Sequence, residues 1–522
     1  MARILVTEPL SERGLVALRE AGHDVEVALD LSPEQLVKAV GGAAALIIRS
    51  ATNVTAEVLD AGSSLVVVGR AGIGLDNVDV AAATRRGVMV VNAPQSNILS
   101  AAEHTLALLL AQARNVPQAH AALKAGLWER SKWEGVELYG KTLGIVGLGR
   151  VGALVAQRAL AFGMRLVAYD PYVAPERARQ MGVELLALDQ VVHQADFLTI
   201  HLPKTAETLG LVGAELLAQA KPGLRIVNTA RGGIVDEDAL AAALAEGRVA
   251  GAALDVFAEE PRISSPLFEL DSVVVTPHLG ASTKEAQDKA GITIAEQVAL
   301  ALAGEFVPFA VNVAAVEASE TVRPFLPLAE RLGRLFAVLA KQLPPALEIS
   351  YQGGLADYDT RILTLSVLKG LFSVGTEEPV SYVNVPQLAE ERGLEVRATT
   401  STASHDYVNL VTLRGGRHAL AGTLFGLRGE PKIVMVDDHD IELPIARWML
   451  IVRNDDRVGM VAFVAATIGE AGLNIVDLKL GRSRSGGTAM MAFSFDQPVP
   501  GDVTDKLSVA PGILDVVAVA GP

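Results

Sequence analysis

The stretch Lys141-Thr-Leu-Gly-Ile-Val-Gly-Leu-Gly-Arg-Val-Gly152 joins a short apolar run to a glycine-rich turn. A helical segment at 151–162 follows, and a second apolar run at 165–169 ends in Asp170. Gly147 permits the tight turn, Gly149 lets backbone amides approach a pyrophosphate, and Gly152 lets the helix pack close to the strand. Because free N–H groups at a helix N-terminus also attract phosphates, this order of elements predicts a dinucleotide-binding α/β domain.

Asp170 bears on the choice of dinucleotide. It lies 18 residues after Gly152, where a carboxylate can accept hydrogen bonds from the 2′-hydroxyl group of an adenosine ribose. The same carboxylate would repel a 2′-phosphate, so we expect NAD rather than NADP as the cofactor.

Composition limits the remaining possibilities. At 522 residues the chain should hold several domains. The 60 acidic against 45 basic residues, a net charge of −15, argue against a nucleic-acid partner. The absence of cysteine excludes disulfides, thiolate nucleophiles and cysteine metal sites, and no metal centre is expected. We find no signal peptide and no uncharged apolar stretch of membrane-spanning length, so a cytoplasmic protein without a membrane partner is expected.

The first 310 residues or so alternate short apolar runs with helical segments, which is typical of a parallel sheet with crossover helices. In the first block the predicted strands are 3–7, 45–48, 65–68 and 88–91, and the predicted helices are 11–21 and 33–40. A long helix at 101–114 leads into the dinucleotide block. Residues 284–302 are predicted to form one amphipathic helix.

The last third of the chain has a different character. Residues 320–343 are predicted to be helical, and 346–447 are rich in short strands and glycine turns. The final 75 residues follow a β-α-β-β-α-β rhythm, which is the ferredoxin-like pattern. Its predicted strands are 448–452, 475–480, 488–495 and 513–520, with helices at 459–471 and 503–510.

Polar residues follow three of the apolar runs, at the positions where parallel sheets place their ligands. Arg231 follows one run, the pair Glu259 and Glu260 follows another that ends near Asp255, and His278 follows a third. Oxidation of a 2-hydroxy acid needs a guanidinium for the substrate carboxylate, an imidazole to take the hydroxyl proton, and a carboxylate behind that imidazole. Each residue taken singly is also compatible with a turn or a solvated surface, and spacing leaves the choice between the two glutamates open.

Four motifs together resemble the D-isomer-specific 2-hydroxyacid dehydrogenases. They are Gly147-Leu-Gly-Arg-Val-Gly152, Asn228-Thr-Ala-Arg-Gly-Gly233, Leu254-Asp-Val-Phe-Ala-Glu-Glu-Pro261 and Thr276-Pro-His-Leu-Gly280. The resemblance selects Glu260 over Glu259 and implies a catalytic set of Arg231, Glu260 and His278. It places Asp255 near the nicotinamide carboxamide. The implied cofactor contacts are Gly147, Gly149, Arg150, Val151, Gly152, Asp170, Ala230, Asp255 and Gly280.

The resemblance also implies the domain organisation. A flavodoxin-like substrate domain, made of residues 1–97 and a return helix in 282–312, is interrupted by a Rossmann-type NAD domain at 98–281. An α+β intervening domain at 313–447 and a ferredoxin-like ACT domain, a small-molecule-binding regulatory module, at 448–522 would follow. Catalysis would then take place in the cleft between the substrate and NAD domains.

The long, phosphoglycerate-oxidising members of the family are the ones that this chain resembles, which implies 3-phosphoglycerate as the substrate. The residues implied to bind it are Arg49, Ser50, Arg70, Gly72, Asn97, Arg130 and Lys132. Of these, Arg130 and Lys132 would reach the site of a neighbouring subunit, so a homo-oligomer, a dimer or a homotetramer, is expected. Each of these arginines and the lysine is also compatible with being only a solvated surface charge.

Resemblance to ACT domains implies an amino-acid effector, for which L-serine is the natural candidate. Its ligands would be Asn454, Asp456 and Asn474, which we expect to lie near one another because the loop after the first strand of the domain would face the second strand. Such domains commonly pair across two chains, so the effector would sit between subunits. Val458 departs from the family, which usually has proline there, and this change makes the effector loop less rigid.

Two other functions remain open at this point. The first is reduction of an unphosphorylated 2-oxo acid such as glyoxylate, hydroxypyruvate or 2-oxoglutarate, because such enzymes share the catalytic trio. The second is an NAD-sensing scaffold of the corepressor type, which has this fold but acts by binding partners.

Overall fold

Four β-sheets organise the chain in the computed structural model, which describes residues 1–313, 319–374, 380–404, 406–426, 428–483 and 486–520. Residues 314–318, 375–379, 405 and 427 of the predicted intervening domain, and 484–485 and 521–522 of the predicted ACT domain, lie outside the described residues.

The first sheet has five parallel strands in the order β2-β1-β3-β4-β5. The strands are β1 (Arg3–Val6), β2 (Asp24–Val27), β3 (Ala45–Ile48), β4 (Val67–Arg70) and β5 (Met89–Asn92). Helices α1 (Glu12–Glu20), α2 (Pro33–Ala39), α3 (Ala56–Ala61) and α4 (Val80–Arg85) connect them. Ser11, Ser32, Thr55 and Asp79 cap these helices with their side-chain oxygens, which satisfies N–H groups that the helices leave free.

The second sheet has seven parallel strands in the order β12-β11-β10-β9-β6-β7-β8. They are β6 (Thr142–Val146), β7 (Arg165–Tyr169), β8 (Val183–Leu185), β9 (Phe197–Ile200), β10 (Leu224–Asn228), β11 (Val249–Leu254) and β12 (Val273–Val275). Its helices are α5 (Ile98–Ala113), α6 (Val116–Lys124), α7 (Arg150–Ala161), α8 (Pro175–Gln180), α9 (Leu188–Gln194), α10 (Ala214–Leu217) and α11 (Glu237–Ala245), with a 3₁₀ turn at Pro266–Glu269. The strand order reverses at β6, which has β7 on one side and β9 on the other, and such a reversal opens a crevice for a ligand.

Helix α12 (Lys284–Leu302) returns to the first sheet after the second is complete. Ile294 and Val298 of this helix belong to the same apolar core as Ile4 and Val6 of β1. The helix also crosses α1 at a contact of two glycines, because a Cβ on Gly14 would lie 2.7 Å from the carbonyl oxygen of Gly291. The second sheet is therefore inserted within the chain of the first.

The third sheet is mixed and has the order β14-β13-β15-β16-β17-β18, with only β13 and β14 parallel. Its strands are β13 (Ala346–Gly353), β14 (Glu395–Ser401), β15 (Asn409–Gly415), β16 (His418–Phe425), β17 (Glu430–Val436) and β18 (His439–Pro444). Helices α13 (Leu326–Ala340), α14 (Arg361–Phe372) and α15 (Val385–Glu391) accompany it, with 3₁₀ turns at Arg323–Phe325 and Gly354–Asp357.

The fourth sheet is antiparallel, in the order β20-β21-β19-β22. It is built from β19 (Trp448–Asp455), α16 (Met460–Glu470), β20 (Ile475–Arg482), β21 (Thr488–Phe495), α17 (Gly501–Ser508) and β22 (Ile513–Ala520). Met449 and Ile451 of β19 share a buried core with Leu335 and Phe336 of α13, so the third and fourth sheets are packed together. The predicted fold class is confirmed.

Several elements differ from their predicted bounds. The helix predicted at 320–343 is a 3₁₀ turn followed by the shorter α13, and strand β4 begins two residues after its predicted start. Strand β2 and helices α14 and α15 are not predicted from the sequence. Strand β2 lies at a sheet edge and is mostly exposed, while nine of the twelve residues of α14 are buried, so neither carries the expected alternation. In the described part of the chain, no helix combines the length and hydropathy that a membrane crossing requires.

Candidate active site

The glycine-rich turn between β6 and α7 has the geometry that its sequence predicts. Gly147 has a φ of 96°, in the left-handed region that favours glycine. A Cβ on Gly152 would collide with the carbonyl oxygen of Gly147, so the first turn of α7 can approach the loop only with glycine there. Gly149 caps α7, and a Cβ there would meet no atom within 4 Å. The turn thus leaves open space at the N-terminus of α7, which fits a pyrophosphate.

Asp170 lies directly beside this turn, at the end of β7. Its Oδ2 accepts a hydrogen bond of 2.8 Å from the backbone N–H of Leu148, and its Oδ1 accepts one of 2.9 Å from Tyr172. A carboxylate has about four lone-pair sites, so acceptor capacity remains on both oxygens for ribose hydroxyl groups.

His278 and Glu260 form a pair at the mouth of the cleft. Nδ1 of His278 lies 2.6 Å from Oε2 of Glu260, while Oε1 of Glu260 accepts a hydrogen bond of 2.9 Å from the backbone N–H of Phe257. Burial alone would raise the pKa of Glu260, but the hydrogen bonds from His278 and Phe257 outweigh it and hold this pKa below its usual value. Glu260 is therefore an ionised carboxylate that orients the imidazole ring. Glu259 makes no such contact with His278.

Asp255 is fully buried and organises the loop that carries His278. Its Oδ1 accepts hydrogen bonds from the Thr276 hydroxyl group at 2.6 Å and the Leu279 N–H at 2.7 Å, and its Oδ2 accepts one from the Gly280 N–H at 2.8 Å. Nε2 of His104 lies 3.2 Å from Oδ1. Burial raises the pKa of Asp255, but hydrogen bonds from His104, Thr276 and Leu279 bring it below the usual value. The His104 contact was not predicted, because α5 is distant in sequence from this loop.

Arg231 follows β10 in a tight turn. The side chain of Asn228 braces this turn by donating to the Arg231 carbonyl and accepting from the Ala230 N–H. The Arg231 guanidinium donates to the Ala230 carbonyl at 2.7 Å, and its Nε lies 3.5 Å from Oδ2 of Asp76. It therefore reaches from the end of β10 in the second sheet to the loop after β4 in the first.

A cavity of about 530 Å³ separates the first and second sheets, and most of the predicted substrate residues line it. Its second-sheet side presents Glu260 and His278. The predicted residues on its other walls are Arg49, Ser50, Arg70, Gly72 and Asn97. Among the described residues, no hydrogen-bond partner reaches the buried Nε of Arg70 or the buried Oδ1 of Asn97. A buried donor and a buried acceptor without partners are costly, so they point to a polar ligand in this cavity.

Arg70 is the most enclosed cation of the cavity. Burial lowers its pKa to about 10, and repulsion from Arg231 and Arg49 contributes, although Glu8 and Asp76 oppose the shift. The guanidinium remains charged at neutral pH. Three arginines thus share a small region, which is unfavourable unless an anion binds there.

Arg130 and Lys132 are not brought to this cavity within one chain. Arg130 lines a separate surface cleft with Arg114, Trp128 and Trp133. Nζ of Lys132 lies 3.1 Å from Oδ2 of Asp271.

The expectation that Asn454, Asp456 and Asn474 lie near one another is wrong within one chain. Strand β21 separates β19 from β20, and Asn454 is level with Ala489, which in turn pairs with Arg482 at the end of β20. Asn474 precedes the start of β20, about 25 Å away at roughly 3.3 Å per residue. Asp456 instead contacts Nε of Arg482 at 3.1 Å, and Nδ2 of Asn454 donates to the Asp455 carbonyl.

In the part of the chain that the structure describes, no group of three or more His, Asp or Glu side chains is arranged to hold a metal ion. The polar groups of the cleft instead suit a dinucleotide and an anionic organic substrate.

Comparison with known proteins places these features in a family. Residues 106–280 match the model of the D-isomer specific 2-hydroxyacid dehydrogenase NAD-binding domain. Residues 321–437 match the D-3-phosphoglycerate dehydrogenase intervening domain, and 448–512 match the ACT domain.

Full-length relatives and solved structures agree. The chain is 50% identical over 514 residues to D-3-phosphoglycerate dehydrogenase of Mycobacterium leprae, covering 97% of each chain. It is 41% identical over 524 residues to the protein of that name in Methanocaldococcus jannaschii, covering 99% of this chain and 100% of the other. The TT0316 protein of Thermus thermophilus superposes with a TM-score of 0.56 and 38% identity, over 59% of this chain and 99% of that one. A glyoxylate reductase from Paecilomyes thermophila superposes with a TM-score of 0.54 and 27% identity, over 59% of this chain and 98% of that one.

Proposed function

This chain belongs to the D-3-phosphoglycerate dehydrogenases, within the D-isomer-specific 2-hydroxyacid dehydrogenase family, and we propose that it oxidises 3-phospho-D-glycerate to 3-phosphohydroxypyruvate with NAD. That reaction opens L-serine biosynthesis. The observation that carries the proposal is the cavity in which the His278–Glu260 pair lies together with Arg49 and Arg70. The same cavity holds the Nε donor of Arg70 and the Oδ1 acceptor of Asn97, which are unpaired among the described residues.

His278 is the proposed base. With its Nδ1 engaged by Glu260, the ring has Nε2 free to take the proton of the substrate's 2-hydroxyl group. Glu260 fixes the tautomer before that transfer and stabilises the imidazolium after it. In the reverse direction the same imidazolium returns the proton to the 2-oxo group.

Arg231 is the proposed partner of the substrate carboxylate, because a guanidinium can form two parallel hydrogen bonds with a carboxylate. Its contacts with the Ala230 carbonyl and Asp76 hold the planar group at the domain boundary.

The cofactor is held by the second sheet. When bound, NAD supplies the nicotinamide carbon that accepts the hydride from the substrate. We assign the pyrophosphate to the turn formed by Gly147, Gly149, Arg150, Val151 and Gly152, and the adenosine ribose to Asp170. Ala230, Asp255 and Gly280 are assigned to the nicotinamide end, where the buried Asp255 keeps the loop before α12 in place.

The substrate phosphate is assigned to the first sheet. The same cavity that His278 lines is also lined by Arg49, Ser50, Arg70, Gly72 and Asn97, and a phosphate favours guanidinium partners. Arg49 and Arg70 are additional to Arg231, which favours a second anionic group on the substrate. An unphosphorylated 2-oxo acid would leave these two cations without a partner, and a scaffold that only senses NAD would not need them.

A homo-oligomer, a dimer or a homotetramer, completes the proposed site. Arg130 and Lys132 would act on the phosphate bound by a neighbouring subunit. Several large apolar side chains near them in sequence are exposed: Trp128 is 79% exposed, and Leu123 and Leu127 are more than half exposed. Large exposed apolar side chains of this kind mark interaction surfaces.

Regulation by L-serine is proposed for the ACT domain. Because Asn454 and Asp456 lie at one end of the sheet and Asn474 at the other, a site that uses all three needs two chains, with Asn474 supplied by the partner subunit. Inhibition requires that serine favour a state with a misaligned cleft, because a ligand shifts an equilibrium only by its differential affinity. A cytoplasmic location is also proposed, since NAD and a phosphorylated acid are charged and do not cross bilayers unaided.

Steady-state production of NADH from 3-phospho-D-glycerate by the purified full-length chain tests this function. Turnover that His278→Ala lowers by roughly 10²–10⁴-fold would support it. Absence of turnover in the unmodified enzyme would reject it.

A further inference from the structure

The loop that presents Arg49 and Ser50 to the cavity is built around a carboxylate from another strand. We propose that Glu8, which follows β1, is a positioning residue that makes the enzyme selective for a phosphorylated substrate by fixing this loop. The inference rests on the proposed function, because it concerns recognition of the phosphate in the same cavity. Glu8 itself is absent from the residues that line the cavity, so it acts through the loop.

Three backbone hydrogen bonds tie the loop to Glu8. Oε1 accepts hydrogen bonds from the N–H groups of Arg49 at 2.8 Å and Thr52 at 2.9 Å, and Oε2 accepts one from Ala51 at 3.1 Å. One carboxylate therefore satisfies three N–H groups of a four-residue turn. Without the Glu8 carboxylate these three N–H groups would lose their hydrogen-bond acceptor, which is unfavourable for a partly buried backbone.

Asn77 holds the same loop by its carbonyl groups. Its Nδ2 donates to the carbonyl oxygen of Arg49 at 2.8 Å and to that of Thr52 at 2.6 Å. Glu8 thus accepts from the N–H groups of the loop, while Asn77, from a different segment of the chain, donates to its carbonyl groups. The backbone of Arg49 is held on both sides, which restricts the directions that its side chain can take into the cavity.

Charge gives Glu8 a second effect. Burial raises the pKa of Glu8, but the hydrogen bonds from Ala51, Thr52 and Arg49 outweigh it and keep this pKa below the usual value. The residue is therefore a carboxylate at neutral pH, and its charge stabilises the cation of Arg70, whose pKa Glu8 raises. The acid thus offsets part of the repulsion among the three arginines before substrate arrives, without occupying the place of the phosphate.

The decisive substitution is Glu8→Gln, which keeps the shape of the side chain. One oxygen becomes an NH₂ group that must face a backbone N–H of the loop, and the charge is lost. We expect KM for 3-phospho-D-glycerate to rise about tenfold, the scale of one charge-assisted hydrogen bond. The kcat and the KM for NAD should stay within about twofold, because His278 and the glycine turn are untouched. Unphosphorylated D-glycerate should lose much less in kcat/KM.

Two controls separate positioning from general damage. Glu12→Gln removes an exposed acid from α1 of the same domain, 3.7 Å from Arg19, and should leave both substrates unaffected. Glu8→Asp keeps the charge, so its KM for 3-phospho-D-glycerate should lie between those of the unmodified enzyme and Glu8→Gln. Hydrogen exchange at the amides of Arg49, Ala51 and Thr52 should be faster in Glu8→Gln than in the unmodified enzyme.

Equal losses on phosphorylated and plain glycerate, or unchanged exchange at the three amides, would overturn the inference while leaving the proposed function intact. Failure of the unmodified enzyme to oxidise 3-phospho-D-glycerate would overturn the proposed function and, with it, the selectivity assigned to Glu8.

Discussion

Nδ1 of His278 and Oε2 of Glu260 lie 2.6 Å apart, although the two residues are 18 positions apart in sequence and follow different strands. Each is fixed by a backbone contact: the N–H of Phe257 donates to Glu260, and the N–H of His278 donates to the Asp255 carbonyl at 2.9 Å. His278 also has a φ of 53°, which is unusual for a residue other than glycine. The pair is therefore held in one geometry before any substrate binds.

The choice of acid can be tested with neighbouring glutamates. Glu260→Gln should lower kcat markedly, because the neutral amide cannot stabilise an imidazolium, while Glu259→Gln should have little effect. His278→Ala should lower kcat by roughly 10²–10⁴-fold, the usual scale of general acid–base catalysis. Fluorescence titration of NAD should show binding preserved in all three variants. A Glu259→Gln enzyme that is as impaired as Glu260→Gln would contradict the assignment.

Asp170 is predicted to enforce the preference for NAD. Asp170→Ala removes the proposed ribose partner and the acceptor of the Leu148 N–H, so NAD should bind less tightly and discrimination against NADP should decrease. The measurement is kcat/KM with each cofactor at saturating substrate. The matched control is Asp189→Asn, an exposed acid of the same domain. An unchanged ratio of the two values would show that Asp170 does not meet the ribose.

Arg130 is predicted to act across a subunit boundary, because it does not reach the cavity of its own chain. Arg130→Ala and His278→Ala should each be weakly active alone. When the two are unfolded together and refolded as mixed oligomers, some sites would receive an intact His278 from one chain and an intact Arg130 from the other. Activity should therefore reappear in the mixture. A mixture no more active than the average of its parents would mean that each site is built within one chain.

Asp255 is predicted to contribute strongly to stability. In Asp255→Asn an NH₂ group would face one of the N–H groups of Leu279 or Gly280, and a buried unsatisfied donor costs about 1–3 kcal/mol. The folded pKa of Asp255 is below its usual value of 3.8, so its ionised form stabilises the fold above that pH and this contribution is lost as pH falls through the folded pKa. Urea unfolding should therefore show a constant deficit between pH 7 and pH 5, the range above that usual value. A deficit that disappears within that range would contradict the network.

The sequence predicts much of this site because its key groups follow strands or lie in a single turn. The positions of Gly147, Gly152 and His278 depend on local geometry that the motifs encode. The contact between His104 and Asp255, and that between Glu8 and the loop at Arg49, join segments that are far apart in sequence. Neither residue type nor spacing signals such contacts, although Glu8 does follow an apolar run, as the predicted site residues do.

The error over Asn474 has a different origin. The order of strands in the ACT domain is compatible with the ferredoxin-like pattern, but that pattern does not show which strand ends meet. Once β21 is inserted between β19 and β20, the antiparallel register places Asn474 far from Asn454. The register is a tertiary property, set by packing on α13 and on the helices of the domain.

The most direct test of the account is a comparison of 3-phospho-D-glycerate with D-glycerate under identical steady-state conditions with NAD. Arg49 and Arg70 should each contribute a charge-assisted hydrogen bond to the phosphate, worth roughly 1.5–3 kcal/mol. Two such bonds correspond to about 100-fold or more in kcat/KM, so the phosphorylated acid should be preferred by at least that factor. Equal or better use of plain D-glycerate would contradict the assignment of Arg49 and Arg70 to a substrate phosphate, and with it the proposed function.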